Sequence, residues 1–180
     1  DGVPFCSAVC CMYATKEAVL IREHDPKAEA YIFYNELRAF GKGFQEFVNR
    51  AMNEYGVKYI RSRPGEIRED PETKSLTLWY DDTLTREIKT LSFDLVVLCP
   101  ALIPKPKNKE LANILGVELD ECAFFKPKHV LFAPLDTNIP GIFACGYCQS
   151  PKDIPDAVAQ ASGAAARAAE VVALTVEQRV

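Results

Sequence analysis

Hydrophobic and polar positions along the chain change period several times, and each change predicts an element. From Cys10 to Glu23, Met12, Ala14, Thr15 and Ala18 interleave with Lys16, Glu17 and Arg22, which is a helical pattern stopped by Asp25-Pro26. Ala30–Glu36 (AYIFYNE) is β-branched and aromatic and reads as a buried strand. Gly41 to Tyr55 gathers Phe44, Phe47, Val48 and Ala51 on one side of a helix, with Gly56 as its stop, and VKYIRSR follows as a short strand. Ser75–Tyr80 and Arg86–Leu91 alternate apolar and polar around Asp81–Thr85, which predicts a β-hairpin or meander with one wet face. Leu95–Ala101 (LVVLCPA) is a continuous apolar run that suits a central parallel strand. A Pro- and Lys-rich crossover leads to a short helix at Asn108–Leu115, closed by Gly116. Gly141–Gly146 (GIFACG) reads as another buried strand, and Asp156 to Ala173 as a long helix rich in small residues.

Helices alternating with strands predict an α/β layered fold with a mainly parallel sheet and an inserted β-meander. The chain enters that pattern at a helix, so the strand and Gly-rich turn that open a dinucleotide-binding unit are expected outside it. Gly41-Lys42-Gly43 lacks the third glycine of that fingerprint and follows no strand turn.

Composition narrows the function. The 180 residues carry a formal net charge of −4, with 48% hydrophobic and 26% charged residues, which are globular values. The acidic balance argues against a nucleic-acid partner, whose footprint is a basic face. No apolar run of about 18 residues is present, so no transmembrane segment is expected. The opening DGVPFCSAVCC lacks the basic start and apolar core of a signal peptide. Seven cysteines, an odd number, disfavour a disulfide framework and point to a reducing compartment.

Three thiols, Cys6, Cys10 and Cys11, fall within six positions. Thiolates are soft ligands for zinc and iron–sulfur clusters, and a helix N-terminus stabilises their charge. A cluster takes about four ligands, so a fourth is expected elsewhere. The alternative is small buried residues, a common fate of free cysteine. Cys145-Gly146-Tyr147-Cys148 has CxxC spacing at the end of a predicted strand, where α/β folds bind ligands. It reads either as a redox or metal pair, or as a strand end whose glycine lets backbone approach a ligand. Lys152-Asp153-Ile154-Pro155-Asp156 places Asp153 as an N-cap and Pro155 in a first helical turn. Such an end receives an anion or a polarised carbonyl, or is a plain capped helix. Ala157, Ala161, Gly163, Ala164 and Ala165 allow close packing of that helix on a sheet. Lys16 is either a cation for a redox group or a solvated helix residue. His24 and His129 have no ligand spacing and read as surface residues.

The stretch CSAVCCMYATKEAVLIREHDPKAEAYIFYNELRAFGKGFQEF resembles the heterodisulfide reductase A subunit family, and GIFACGYCQSPKDIPDAVAQASGAAARAA resembles that family's flavin-domain closing segment. The similarity covers nearly the whole chain. It implies a thioredoxin-reductase-like core with FAD and [4Fe-4S] clusters, in an electron-splitting complex that reduces the disulfide of coenzymes M and B. The partners it implies are the other heterodisulfide reductase subunits and a hydrogenase or formate dehydrogenase type donor, in a cytoplasmic homo- or hetero-oligomer. Residues 1–98 then form a second nucleotide-binding-type (Rossmann-like) domain, incomplete at its start. Residues 99–180 form the crossover and the closing segment of the FAD-binding domain. Position by position, Cys6, Cys10 and Cys11 look like cluster ligands and Lys16 like a lysine near flavin N5. Gly146, Tyr147, Lys152, Asp153, Ile154 and Pro155 look like the flavin-facing loop and helix start. Two departures stand out: Cys99-Pro100-Ala101-Leu102 replaces a Ser/Thr-Gly-Leu turn, and Gly146-Tyr147 replaces a Gly-Asp pair. A non-catalytic docking module derived from the same core, and a thiol–disulfide enzyme using Cys145 and Cys148, are the alternative readings.

Overall fold

The computed structural model describes residues 2–177. Their chain divides into two units. One is Cys10–Pro100; the other joins the segment up to Val9 with the chain from Ala101 onward. The outermost positions of the two expected domains, 1 and 178–180, lie outside the described residues.

Cys10–Pro100 contains α1 (Cys10–His24), β1 (Tyr31–Tyr34), α2 (Phe44–Asn53), β2 (Lys58–Arg61), β3 (Pro64–Glu69), β4 (Leu76–Asp82) and β5 (Glu87–Phe93). β1 and β2 pair in parallel, Tyr31 opposite Lys58 and Tyr34 opposite Arg61. α2 connects them, as a parallel pair requires. The buried faces meet in a core of Ala18, Val19, Ala30, Ala51 and Val57, flanked by Ile32, Phe47 and Tyr59. Arg22 ties the end of α1 to this layer. Its Nε donates to Tyr55 O at 2.8 Å, and its Nη1 donates to Pro26 O at 2.6 Å and also to Ala28 O.

β3, β4 and β5 form an antiparallel meander in that order. Leu78 faces Leu91, and Asp82 faces Glu87, across the β4–β5 ladder. Edge-to-face rings join it to β1: Phe33 lies 5.1 Å from Tyr80 and Tyr31 lies 5.2 Å from Phe93. β3 is absent from the periodicity because it is a solvated edge. Gly65 to Glu69 are all exposed, Arg68 pairs with Glu66 at 2.6 Å, and charge is how edge strands avoid further pairing.

The second unit holds α3 (Asn108–Leu115) and α4 (Ile154–Glu177), with a single 3-10 turn at Gly146–Cys148. Its core is Ala112, Val117, Phe125 and Ala144, with Leu119, Ile139, Ile142 and Cys148 around it. Phe124, only 2% exposed, takes the rings of Phe5 and Tyr147 edge-on at 5.3 and 6.0 Å. Ser7 Oγ accepts the Leu102 amide at 2.9 Å, fastening the first residues to the crossover. Arg167 forks onto Asp136 with contacts of 2.9 and 3.3 Å and so holds α4 to the loop before it.

Three expectations are corrected. Leu95–Ala101 is not a strand among the described residues; Leu95, Val97 and Leu98 are 72, 58 and 78% exposed. A central parallel strand exists only between hydrogen-bonded neighbours, and the described residues offer this run none. Gly141–Gly146 is likewise not a strand. Its pairing is the single bridge Asp136–Phe143, and Gly146, with φ of 71°, turns the chain out of extended geometry. Among the described residues the parallel sheet is therefore the β1–β2 pair alone, beside a larger antiparallel one. Finally, among the described residues the small-residue face of α4 does not lie on a sheet: Gly163 faces Leu135, while Ala161 and Ala165 are exposed.

Candidate functional site

The loop from Gly146 to Asp153 and the first turns of α4 form the most organised polar group of the second unit. Gly146 is buried and left-handed. A Cβ added there would meet Ala157 Cβ at an ordinary contact distance, 3.8 Å, so the turn packs against the first turns of α4. Its amide donates to Gln160 Oε1 at 2.7 Å. The same oxygen accepts Lys152 Nζ at 2.6 Å. Gln160 Nε2 donates to Gln149 Oε1 at 2.8 Å, which also accepts Lys152 Nζ at 3.2 Å. Gln149 Nε2 donates to Pro134 O, closing the circuit on the loop that leads to Asp136. Burial pushes the Lys152 ammonium below the ordinary lysine value, against weaker attraction from Cys148, Asp156 and Cys145.

α4 begins as the residue types dictate. Asp153 Oδ1 accepts the Asp156 amide at 2.8 Å as an N-cap, and Pro155, with no N–H, sits in the first turn. The cap places a carboxylate where an incoming anion would sit. The end therefore suits a neutral, polarisable oxygen better than a phosphate. Ile154 and Pro155 are exposed. Tyr147, in place of an acidic residue, donates its hydroxyl to Ile103 O and gives no carboxylate to the loop.

CxxC does not behave as a reactive pair. Cys148 Sγ donates to Cys145 O at 3.1 Å, and burial raises its pKa, so the thiol stays protonated and packs with the core.

In the other unit, Cys10 and Cys11 open α1, while Cys6 belongs to the segment ending at Val9. Cys6 Sγ accepts the amide of Ala8, itself left-handed with φ of 61°, at 3.3 Å. Cys11 Sγ accepts the Arg38 amide at 3.4 Å and lies 3.6 Å from Glu36 O. The donor chemistry suits a soft metal, but among the described residues no three His, Cys, Asp or Glu side chains gather as a metal site. Lys16 is exposed on the middle of α1.

Sequence reasoning missed Gln149, Gln160 and Cys99. Cys99 hydrogen-bonds Tyr13, whose hydroxyl also reaches Pro100 O at 3.3 Å. Burial, reinforced by Cys99 and Cys10, pushes the Tyr13 phenol up to about 12. No local pattern signals these partners, because the contacts that join them, Gln160 to Gln149 and Tyr13 to Pro100, span 11 and 87 positions. Shallow hollows on α2, beside Phe47 and Arg50, and at Leu119–Lys126 hold none of the candidate residues.

Comparison with known proteins agrees with this architecture. The sequence model described as Pyridine nucleotide-disulphide oxidoreductase matches residues 15–165. The iron-sulfur A subunit of the CoB--CoM heterodisulfide reductase of Methanocaldococcus jannaschii is 52% identical over 164 residues, 91% of this chain and 25% of the relative. The A subunit of the H(2)/formate:CoB-CoM heterodisulfide,ferredoxin reductase of Methanococcus maripaludis is 52% identical over 168 residues, 93% of this chain and 26% of the relative. A protein of Archaeoglobus profundus named as like the heterodisulfide reductase A subunit is 40% identical over 169 residues, 94% of this chain and 24% of the relative. The chain thus spans about a quarter of the length of the curated relatives it matches. It belongs to the pyridine nucleotide-disulphide oxidoreductases, within the heterodisulfide reductase A subunit family.

Proposed function

We propose that this chain is the part of a heterodisulfide reductase A-like oxidoreductase that lines an FAD site and serves electron transfer between that flavin and [4Fe-4S] clusters. The observation that carries the reading is the Gly146 turn. This buried left-handed turn is followed by a capped helix and a half-buried lysine held by two neutral amides. Lys152 uses two of its three protons within the loop and has one for a ligand acceptor. Tyr147, Asp153, Ile154 and Pro155 shape the same loop and helix start. A bound flavin supplies two-electron chemistry that couples to one-electron carriers. Lys16 is read, on the family resemblance, as a cation near flavin N5. Cys6, Cys10 and Cys11 are read, on the same family resemblance, as thiolate ligands, with the remaining ligand elsewhere in the longer protein. The whole protein would act in the cytoplasm with other heterodisulfide reductase subunits and a hydrogenase or formate dehydrogenase type donor.

The docking-module reading rests on one observation: Tyr147 is turned to Ile103 and supplies no carboxylate. The anaerobic full-length protein separates the two. Flavin and iron are assayed in the wild type, Lys16→Ala and Cys10→Ser proteins. Shifted flavin potentials in the first variant and iron loss in the second are expected. A folded wild-type protein without flavin overturns the redox reading in favour of docking.

A further inference from the structure

Gln160 is a neutral residue in a place where a half-buried lysine ordinarily meets an acid. Its Oε1 faces two donors, the Gly146 amide at 2.7 Å and the Lys152 ammonium at 2.6 Å. Both need an acceptor, so the side-chain amide cannot be reversed. Its Nε2 then donates to Gln149 Oε1, and Gln149 is itself held through Pro134 O. Among the described residues no buried side-chain nitrogen or oxygen lacks a partner, so the circuit is complete. Both oxygens on Lys152 belong to uncharged amides. The nearby acidic group is Asp156; the Cys148 and Cys145 thiols also face Lys152. The Asp153 carboxylate is engaged by the Asp156 amide.

We propose that Gln160, backed by Gln149, is a positioning residue that holds the Lys152 cation without neutralising it and fixes the Gly146 turn, so that Lys152 meets a ring oxygen that gains negative charge on reduction. This deepens the flavin reading and rests on it. A carboxylate in place of Gln160 would pair with the ammonium and cancel the charge the ligand needs. An amide orients it at no such cost. Burial without a counter-ion is what pushes Lys152 below the ordinary lysine value, and that shift gives the arrangement a signature of its own.

The test uses the full-length protein with its Gln160→Glu, Gln160→Met and Gln149→Met variants. The pH profile of Lys152 acylation is read by peptide mass spectrometry, beside the flavin midpoint potential. In Gln160→Glu the profile moves up, and each unit of that shift slows acylation at pH 8 about tenfold. The flavin becomes harder to reduce. In the two Met variants the profile moves down. An unchanged Lys152 profile in a folded Gln160→Glu protein overturns the positioning role; if that variant fails to fold, an unchanged profile in folded Gln149→Met does so. A shifted profile with an unchanged flavin potential retains Gln160 as the residue that sets Lys152 and overturns the flavin-facing reading beneath it.

Discussion

The Thr15 hydroxyl and the Tyr59 hydroxyl lie 2.9 Å apart and join α1 to β2. Thr15 is fully buried, and its one proton goes to Cys11 O at 2.8 Å, so Tyr59 is the donor between them. The chain of bonds runs from the parallel pair to the carbonyl of a candidate ligand residue. Burial raises the Tyr59 pKa and keeps the phenol protonated for that bond.

Thr15→Val keeps the shape and removes both bonds. It leaves the Tyr59 hydroxyl without its acceptor and costs about 1–3 kcal/mol. Thr15→Ser keeps the hydroxyl and loses less. Denaturant titration of the full-length protein compares the two, and equal losses would assign the effect to packing instead.

Gly146→Ala tests the left-handed turn. With φ of 71° the strain of an L side chain is roughly 1–2 kcal/mol, and the nearest contact of the new Cβ, Ala157 at 3.8 Å, adds little. Gly146→Asn costs less, because Asn enters this region more readily. The order Gly, Asn, Ala in melting temperature is the expected result.

Acid sensitivity of the meander has a definite sign. Lys89 at 2.5 Å, with the Leu84 and Thr85 amides, holds the Asp82 carboxyl down at about 2 from 3.8. A carboxyl depressed in the folded state contributes stability above its unfolded value, and that contribution is lost as pH falls from about 4 toward 2. Asp82→Asn is therefore expected to flatten the stability–pH curve across that window and to leave its slope near neutral pH unaltered. Unfolding at a series of pH values measures it.

Gly163 and Ala165 separate crowding from exposure on α4. A Cβ at Gly163 would lie 2.7 Å from Leu135 Cδ1, the mobile end of a side chain, so Gly163→Ala is accommodated. Gly163→Val overfills the contact and costs about 1–3 kcal/mol. Ala165→Val, on the exposed face, loses only helix propensity, a few tenths of a kcal/mol. Thermal unfolding of the three variants shows whether the close approach is confined to Gly163.

Where local chemistry carries the signal, the reading along the chain and the structure coincide. Cys10 to His24 and Asn108–Leu115 are helices with stops at Asp25-Pro26 and Gly116. Asp153 caps α4 because a short acidic side chain accepts the amide three residues on. The 76–93 meander follows from period-two alternation around an Asp-rich turn. The β1–β2 pair follows from two β-branched, aromatic runs joined by an amphipathic helix. β3 was illegible because a charged edge has no apolar period.

The helices, the 76–93 hairpin, the capped start of α4, the thiol motif and family membership were decided by the order of residues alone, since each depends on neighbours within a few positions or on the motif itself. Tertiary structure decided the rest. Leu95–Ala101 and Gly141–Gly146 have strand-like composition, but a strand is made by the ladder beside it, and that partner is not encoded in the run. The same holds for the candidate site. Lys152 was visible as a cation near a helix start, yet its two amide partners, Gln149 and Gln160, and the Gly146 amide they orient became one circuit only when the loop folded back on α4. Hydrogen bonds of that kind are satisfied in space and leave no period in the sequence.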